Sequence, residues 1–360
     1  MSTKIRNDAA IRGSLSAGNM PGYMRQASHV IGSETFTTPS VYTRQSQQGA
    51  LGQNGKIYFM PVSAADYRIL ELTPGVNGPT MVEIPFGAAY DGQSSISAPN
   101  GLIYSFPFSY ENITSLNPYT HEVRLDVVTG ITGSLKYTAA VLHPNGKIYL
   151  IPYAATHVGI FDPSNETLDT TSITAPAGSK FSGAALASNG KIYCTPYSVN
   201  YVGIIDVVAE TMDTTTISVN SGSAKYYGGT LAHNGKIYCA PRNATTVLII
   251  DPSADTAEET SITGLTGNDK YGDSCLAPDG KIYCSSLSTN HVGIIDPEND
   301  TIDQTSIPVS TYDYKNYFLI LGPDGKIYCA PFYGYSEVIV ITPGFSKYPI
   351  EPILTSYVNS

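Results

Sequence analysis

Cysteine, histidine and lysine in fixed columns are the first candidates for chemistry in this chain. Cys194, Cys239, Cys284 and Cys329 recur at intervals of 45 residues. Thiolates at a regular spacing suggest a soft metal or a redox centre. The same column, however, holds Phe59, Ser105 and Leu150 in other copies, and none of these can replace a thiolate ligand. Sheets stacked face to face lie ~10 Å apart, whereas a disulfide needs Cα atoms within about 7 Å. The column is therefore expected to be small apolar packing, and Cys275, the fifth cysteine, is read the same way. Unpaired cysteines suit synthesis in a reducing compartment.

His157 and His291 also share a column, but Tyr201 and Thr246 stand in it between them. Metal and acid–base sites need several ligands or acids converging, and the inner strands offer only Asp273. The acidic turns "DPEND" and "DPSAD" lack the glycine and closing glutamate of a calcium loop. No cofactor, no metal and no catalytic residue is expected. Lysine forms two columns. Lys56, Lys147, Lys191, Lys236, Lys281 and Lys326 are expected to face Asp162, Asp206, Asp251 and Asp296 in a structural ring of exposed ion pairs. Lys136, Lys180, Lys225, Lys270 and Lys315 are expected near a central axis, where they could hold an anionic group.

A repeat must position these columns. The stretch "NGKIYCTPYS" from Asn189 returns as "NGKIYCAPRN" from Asn234. Its glycine recurs at Gly55, Gly101, Gly146, Gly190, Gly235, Gly280 and Gly325, with gaps of 44 to 46 residues. Ile follows two residues later and Tyr three later in all seven copies. Each unit reads as four strands. A small-residue strand such as "SGAALAS" leads into Asn-Gly or Asp-Gly, the strongest short hairpin signal. "KIYCTP" follows, then a polar loop, then "YVGIID", then a turn and an alternating strand such as "TIDQTSI". Four short antiparallel strands per unit is the period of a β-propeller blade. Six residues before each glycine stand Gly49, Ser95, Ala140, Ala184, Gly229, Ser274 and Leu319. All but the last are small, as crowding at an axis requires.

The expected fold is all-β, a seven-bladed propeller with four antiparallel strands per blade. Residues 1–31 form an extended basic arm, 32–344 the propeller and 345–360 a C-terminal tail. "GSETFTTPS" resembles the fourth strand of other blades, so an N-terminal strand near 34–38 is expected to close the ring. The units "APDGKIYC", "GPDGKIYC" and "VGIIDPENDTI" resemble the Tyr-Val-Thr-Asn family of propeller repeats, and more loosely kelch and NHL repeats. The likeness implies a binding platform and supplies no catalytic residue. The polar arm before a Tyr-, Thr- and Gly-rich body resembles bacteriophage virion proteins in style.

The loops between strands two and three vary most. They carry Tyr153, His157, Tyr197, Tyr201, Arg242, His291, Phe332, Tyr333 and Tyr335. Variable loops on a uniform scaffold commonly make a binding face, here one suited to a glycan, an anionic ligand or a protein. The net charge of −10 argues against nucleic acid, and no apolar run is long enough for a membrane helix. The arm carries Lys4, Arg6, Arg12 and Arg25, with Arg44 beyond it, against Asp8 and Glu34, and no apolar signal segment. It is expected to dock on other chains of an assembly. The preferred reading is a non-enzymatic component of a particle, a phage virion decoration, fibre or tail-associated adhesin made in a bacterial cytoplasm. The alternatives are a cytoplasmic propeller lyase or hydrolase working in the central channel, and a free glycan-binding lectin.

Overall fold

A computed structural model describes residues 31–39, 49–61, 68–87, 92–309, 318–330 and 337–348. The arm residues Lys4, Arg6, Arg12 and Arg25, and the candidates Lys315, Phe332, Tyr333 and Tyr335, lie outside the described residues.

The described chain is strands and turns, arranged as seven four-stranded antiparallel sheets. β1 (Gly32–Thr37) stands apart from its sheet in sequence. Blade one is β2 (Ala50–Leu51), β3 (Ile57–Phe59), β4 (Arg68–Thr73) and β5 (Thr80–Pro85). Blade two is β6 (Gly92–Ser97), β7 (Ile103–Pro107), β8 (Ile113–Leu116) and β9 (Val123–Val128). Blade three is β10 (Tyr137–Leu142), β11 (Ile148–Pro152), β12 (Gly159–Asp162) and β13 (Thr167–Asp169). Blade four is β14 (Phe181–Leu186), β15 (Ile192–Pro196), β16 (Gly203–Asp206) and β17 (Thr211–Asp213). Blade five is β18 (Tyr226–Leu231), β19 (Ile237–Pro241), β20 (Leu248–Asp251) and β21 (Thr256–Glu258). Blade six is β22 (Tyr271–Leu276), β23 (Ile282–Ser286), β24 (Gly293–Asp296) and β25 (Thr301–Asp303). Blade seven is β26 (Leu319–Leu321), β27 (Ile327–Cys329) and β28 (Glu337–Thr342), with β1 as its outer strand. Gly32 pairs with Thr342 and Thr37 with Glu337, so the first and last described strands share one sheet and the ring is closed. We call the end where each inner strand begins the top.

The Asn-Gly hairpin has a specific form. Gly190 N donates to Ala187 O at 3.0 Å and Ala187 N to Lys191 O at 3.0 Å. Gly190 has φ 79°, so the loop is a type I turn finished by a left-handed glycine rather than a two-residue turn. Asn189 Oδ1 accepts the Lys191 amide at 3.0 Å and fixes the turn.

The apolar residues gather between blades rather than at the axis. Tyr149, Ile151, Val158 and Ile160 of blade three meet Phe181, Ile192, Cys194 and Ile205 of blade four in one such layer. Each buried aliphatic side chain contributes about 1.5–3 kcal/mol. All five cysteines are buried, and none is in a disulfide among the described residues. Burial pushes the Cys194, Cys239, Cys284 and Cys329 thiols well above their usual value, Cys239 to about 12. They are inert packing groups.

The aspartates of the third strands do something other than the expected ion pairing. Asp162, Asp206, Asp251 and Asp296 each take an amide two residues on, at 3.0, 3.0, 2.9 and 3.0 Å. A backbone donor that close in sequence outcompetes a flexible lysine, because the turn is already ordered. Among the described residues, Lys281–Asp296 at 3.8 Å is the one pair of the expected ring within contact distance. Lys56 instead joins the buried Glu71, 2.7 Å away, which also holds His121 Nε2 at 2.7 Å. The outer strands are shorter than their alternation suggests. Asp169 Oδ1 captures the amides of Thr171 and Ser172 at 2.7 and 3.3 Å, which turns the chain out of the ladder after β13.

Candidate functional site

The top inner rim is built by a belt of backbone hydrogen bonds that crosses blade boundaries. Lys136 N donates to Phe108 O at 2.7 Å and Tyr153 N to Lys136 O at 2.8 Å. Lys180 N then donates to Tyr153 O, Tyr197 N to Lys180 O, Lys225 N to Tyr197 O, Arg242 N to Lys225 O and Lys270 N to Arg242 O, at 2.7 to 3.1 Å. The belt spends the free backbone groups at the ends of the second strands. It also sets the seventh residue after each repeat glycine beside its counterpart in the next blade.

Those residues are Phe108, Tyr153, Tyr197 and Arg242. The Phe108 and Tyr153 ring centroids lie 5.8 Å apart and those of Tyr153 and Tyr197 5.5 Å apart. Tyr227 of β18 meets Tyr197 edge to face at 6.5 Å. The Arg242 guanidinium carbon lies 5.7 Å from the Tyr197 centroid, and Nη1 donates to the Tyr197 hydroxyl at 3.2 Å. Arg242 Nε is held by Asp269 Oδ1 at 2.6 Å, and the Asp269 amide by Asn243 Oδ1 at 2.8 Å. Burial raises the Tyr197 pKa, against the opposing pull of Arg242. The arc thus presents half-buried ring surface ending in an oriented cation–carboxylate pair. Such a surface can stack on an apolar ring face and bind hydroxyl or carbonyl groups beside it.

The lysine column sits differently from its sequence expectation. Lys136, Lys180, Lys225 and Lys270 are buried, and their ammonium groups turn into the chain. Lys136 Nζ donates to Tyr110 O and Gly133 O at 2.7 and 2.6 Å, and Lys180 Nζ to Ala155 O and Gly178 O at 2.8 and 3.1 Å. Lys225 Nζ reaches Val199 O and Asn220 O at 2.7 and 2.5 Å, and Lys270 Nζ reaches Gly267 O at 2.7 Å. A buried ammonium needs such acceptors, and loop carbonyls of the preceding blade converge there. Burial pushes the Lys180 pKa down to about 8.

The remaining candidates are not brought together. His157, Tyr201 and His291 lie in three different blades, each forming an isolated bridge, with Thr174, Ser218 and Pro308 respectively. Tyr201 packs edge to face on Phe181 at 6.1 Å. His291 borders a separate cleft with Tyr271, Ser288, Thr289 and Gln304.

Behind the rim, the inner strands enclose a cavity of about 250 Å³. Tyr227 of blade five crosses its upper end, its hydroxyl 3.5 Å from Gln93 Oε1 of blade two. Sequence reasoning missed Phe108, Tyr227 and Gln93. The signal was available: Phe108 shares the column of Tyr153 and Tyr197, and Gln93 and Tyr227 share the column eight residues before the glycine.

No protein-family model matches the chain, and no curated protein matches it. Solved structures do. Virginiamycin B lyase from Staphylococcus aureus superposes with a TM-score of 0.71 at 14% identity, over 87% of this chain and 100% of that one. A streptogramin B lyase gives 0.66 at 15%, over 86% and 97%. Hydrazine synthase from Kuenenia stuttgartiensis gives 0.64 at 13%, over 90% and 99%. At such identities the likeness is one of fold: this chain is a seven-bladed β-propeller with neighbours among virginiamycin B lyase-like proteins.

Proposed function

We propose that the chain is a binding propeller whose top inner rim takes a glycan. The observation that carries this reading is the continuous arc Phe108–Tyr153–Tyr197, ended by Arg242 and its partner Asp269. Tyrosine rings offer flat amphipathic area to a sugar's CH face, and the ion pair supplies a donor and an acceptor for hydroxyls. The belt fixes the backbone beneath all of them, so the surface is formed before the ligand arrives. A glycan array tests it. Wild type should select a small set of glycans, and Tyr197→Ala or Arg242→Ala should each abolish that signal while Tyr201→Ala keeps it. An array with no hits, or hits indifferent to both variants, refutes the reading. Membership of a particle, proposed from the basic arm, rests on residues 1–31 and draws no support from the structural neighbours.

Two observations favour a second reading, a channel enzyme. The fold resembles that of two lyases, and Asp273 is a lining residue of the central cavity. Incubation with a streptogramin B antibiotic decides this: turnover by wild type and not by Asp273→Asn supports catalysis, and an unchanged substrate refutes it.

A further inference from the structure

Asp273 is the one charged side chain among the described residues that line the central cavity. It lies in a bulge of β22, between Tyr271, paired with Ser286, and Ser274, paired with Cys284. Bulges re-aim side chains and cluster near functional sites. The corresponding residues of the three preceding blades are Ala139, Gly183 and Gly228, none of which can carry charge. Gly228 has φ 61°, and a Cβ there would stand 3.0 Å from Asp273 Oδ1. The neighbouring strand therefore leaves the carboxyl its space.

The carboxyl is incompletely satisfied. Oδ1 accepts the Ser274 amide at 2.9 Å, while Oδ2 has no hydrogen-bond partner among the described residues. The residue is 7% exposed. From β18 the carboxyl is faced by Gly228, from β23 by Cys284, and from β26 by the Leu319 backbone amide, while the Ser285 hydroxyl bonds the Asp273 backbone carbonyl. None of these is a cation. Lys225 precedes the adjacent β18 and Lys270 precedes β22 itself, and both ammonium groups are committed to loop carbonyls; Lys315, ahead of the other neighbouring strand β26, lies outside the described residues. With no counter-charge among the described residues, burial raises the Asp273 pKa to about 7.

The cavity of about 250 Å³ has room for roughly eight waters at ~30 Å³ each, or a small organic molecule. Its lining joins hydroxyls, such as Ser182 and Thr230, to aliphatic groups, such as Leu186, Leu231 and Ile320. Calcium or magnesium wants six or more oxygen ligands, zinc three or four from His, Cys or carboxylates, and no group of three His, Cys, Asp or Glu gathers among the described residues. One carboxylate beside hydroxyls and an aliphatic wall fits an amphipathic cation better. We propose that the central channel binds a small primary alkylammonium ion, its ammonium paired with Asp273 and its alkyl body against the leucines.

Binding then requires the ionised carboxylate, so affinity rises with pH until Asp273 has lost its proton. The test is calorimetric titration of the full chain with n-butylammonium chloride in phosphate buffer at about pH 6 and pH 8. Saturable binding is expected at pH 8. It should be about tenfold weaker at pH 6, where a pKa of about 7 leaves about a tenth of the carboxyl ionised. Asp273→Asn, isosteric and uncharged, should fold with an unchanged circular dichroism spectrum and lose binding at least a hundredfold. Absence of saturable binding to wild type, equal binding by the variant, equal binding of n-butanol, or tighter binding of calcium each overturns the proposal. Glycan capture at the rim is read separately through Tyr197→Ala, so the two proposals fail independently.

Discussion

Asn189 donates its side-chain amide to the Tyr193 hydroxyl at 2.9 Å and to the Pro252 carbonyl of the next blade at 3.1 Å. The tyrosine hydroxyl reaches the same carbonyl at 3.3 Å and donates to Asp255 Oδ1. The arrangement returns with Asn54, Tyr58 and Pro118, and with Asn234, Tyr238 and Pro297. The repeat's hairpin residue is thus also a latch between blades. Tyr193→Phe removes the hydroxyl from a buried junction and leaves the Asn189 amide one partner short. The expected cost is about 1–2 kcal/mol. It is read as a lower urea midpoint at an unchanged slope; a midpoint equal to wild type contradicts the latch.

The same pair shows what was legible in the sequence. The Gly-x-Ile-Tyr column displays the blade count because every blade solves one packing problem with the same residues. Partners across blades are invisible to that column: Asn189 and Pro252 lie 63 residues apart, and nothing local records their approach. The rim suffers the same limit. Tyr153 and Tyr197 stand out as loop aromatics, but Phe108 only joins them once the backbone belt aligns the blades. Lys180 is misread for another reason. Its type and spacing suit an exposed ring equally well, and the direction of the Ala155 and Gly178 carbonyls that bury it is a tertiary fact.

Lys180 carries a pH dependence of definite sign. Its pKa is lowered to about 8 in the folded chain, from the ordinary 10.5. Between those values the unfolded chain binds more protons than the folded one, so stability rises with pH across that window. The contribution is about 1–3 kcal/mol. Denaturation midpoints compared at about pH 7 and pH 9.5 should show wild type gaining relative to Lys180→Met. Parallel behaviour of the two proteins contradicts the assignment.

Ring closure separates two truncations. Ile31 packs on the layer between blades six and seven, and Phe36 lies over Gly78 of blade one. Removing residues 1–30 leaves β1 paired with β28, and the protein should elute as a folded species with an unchanged melting transition. Removing residues 1–37 bares the edge of β28, whose Val338 and Val340 are buried. An open apolar edge invites pairing with other chains, so this truncation should aggregate or lose its cooperative transition. If both truncations melt like wild type, β1 does not close the ring. If the shorter truncation also fails to enter an assembly that the full chain joins, the arm is its anchor.

Asp273 gives the opposite sign to Lys180, and the contrast makes the two separable. Its folded pKa, raised to about 7, lies above the ordinary 3.8. Between those values the folded chain binds more protons, so the stabilisation present below pH 4 is lost as pH rises to about 7 and changes little beyond. Asp273→Asn has no proton to lose. The variant should match wild type near pH 4 and exceed it near pH 8, by an amount on the order of 4 kcal/mol when the pKa shift is taken whole. The comparison must be made in phosphate, because an amine buffer would occupy the proposed site and restore wild-type stability by mass action. That restoration is itself diagnostic. Adding n-butylammonium at pH 8 should raise the melting temperature of wild type and leave Asp273→Asn unmoved. A variant no more stable than wild type at pH 8, in phosphate alone, means that the Asp273 carboxyl is already neutralised in the folded chain.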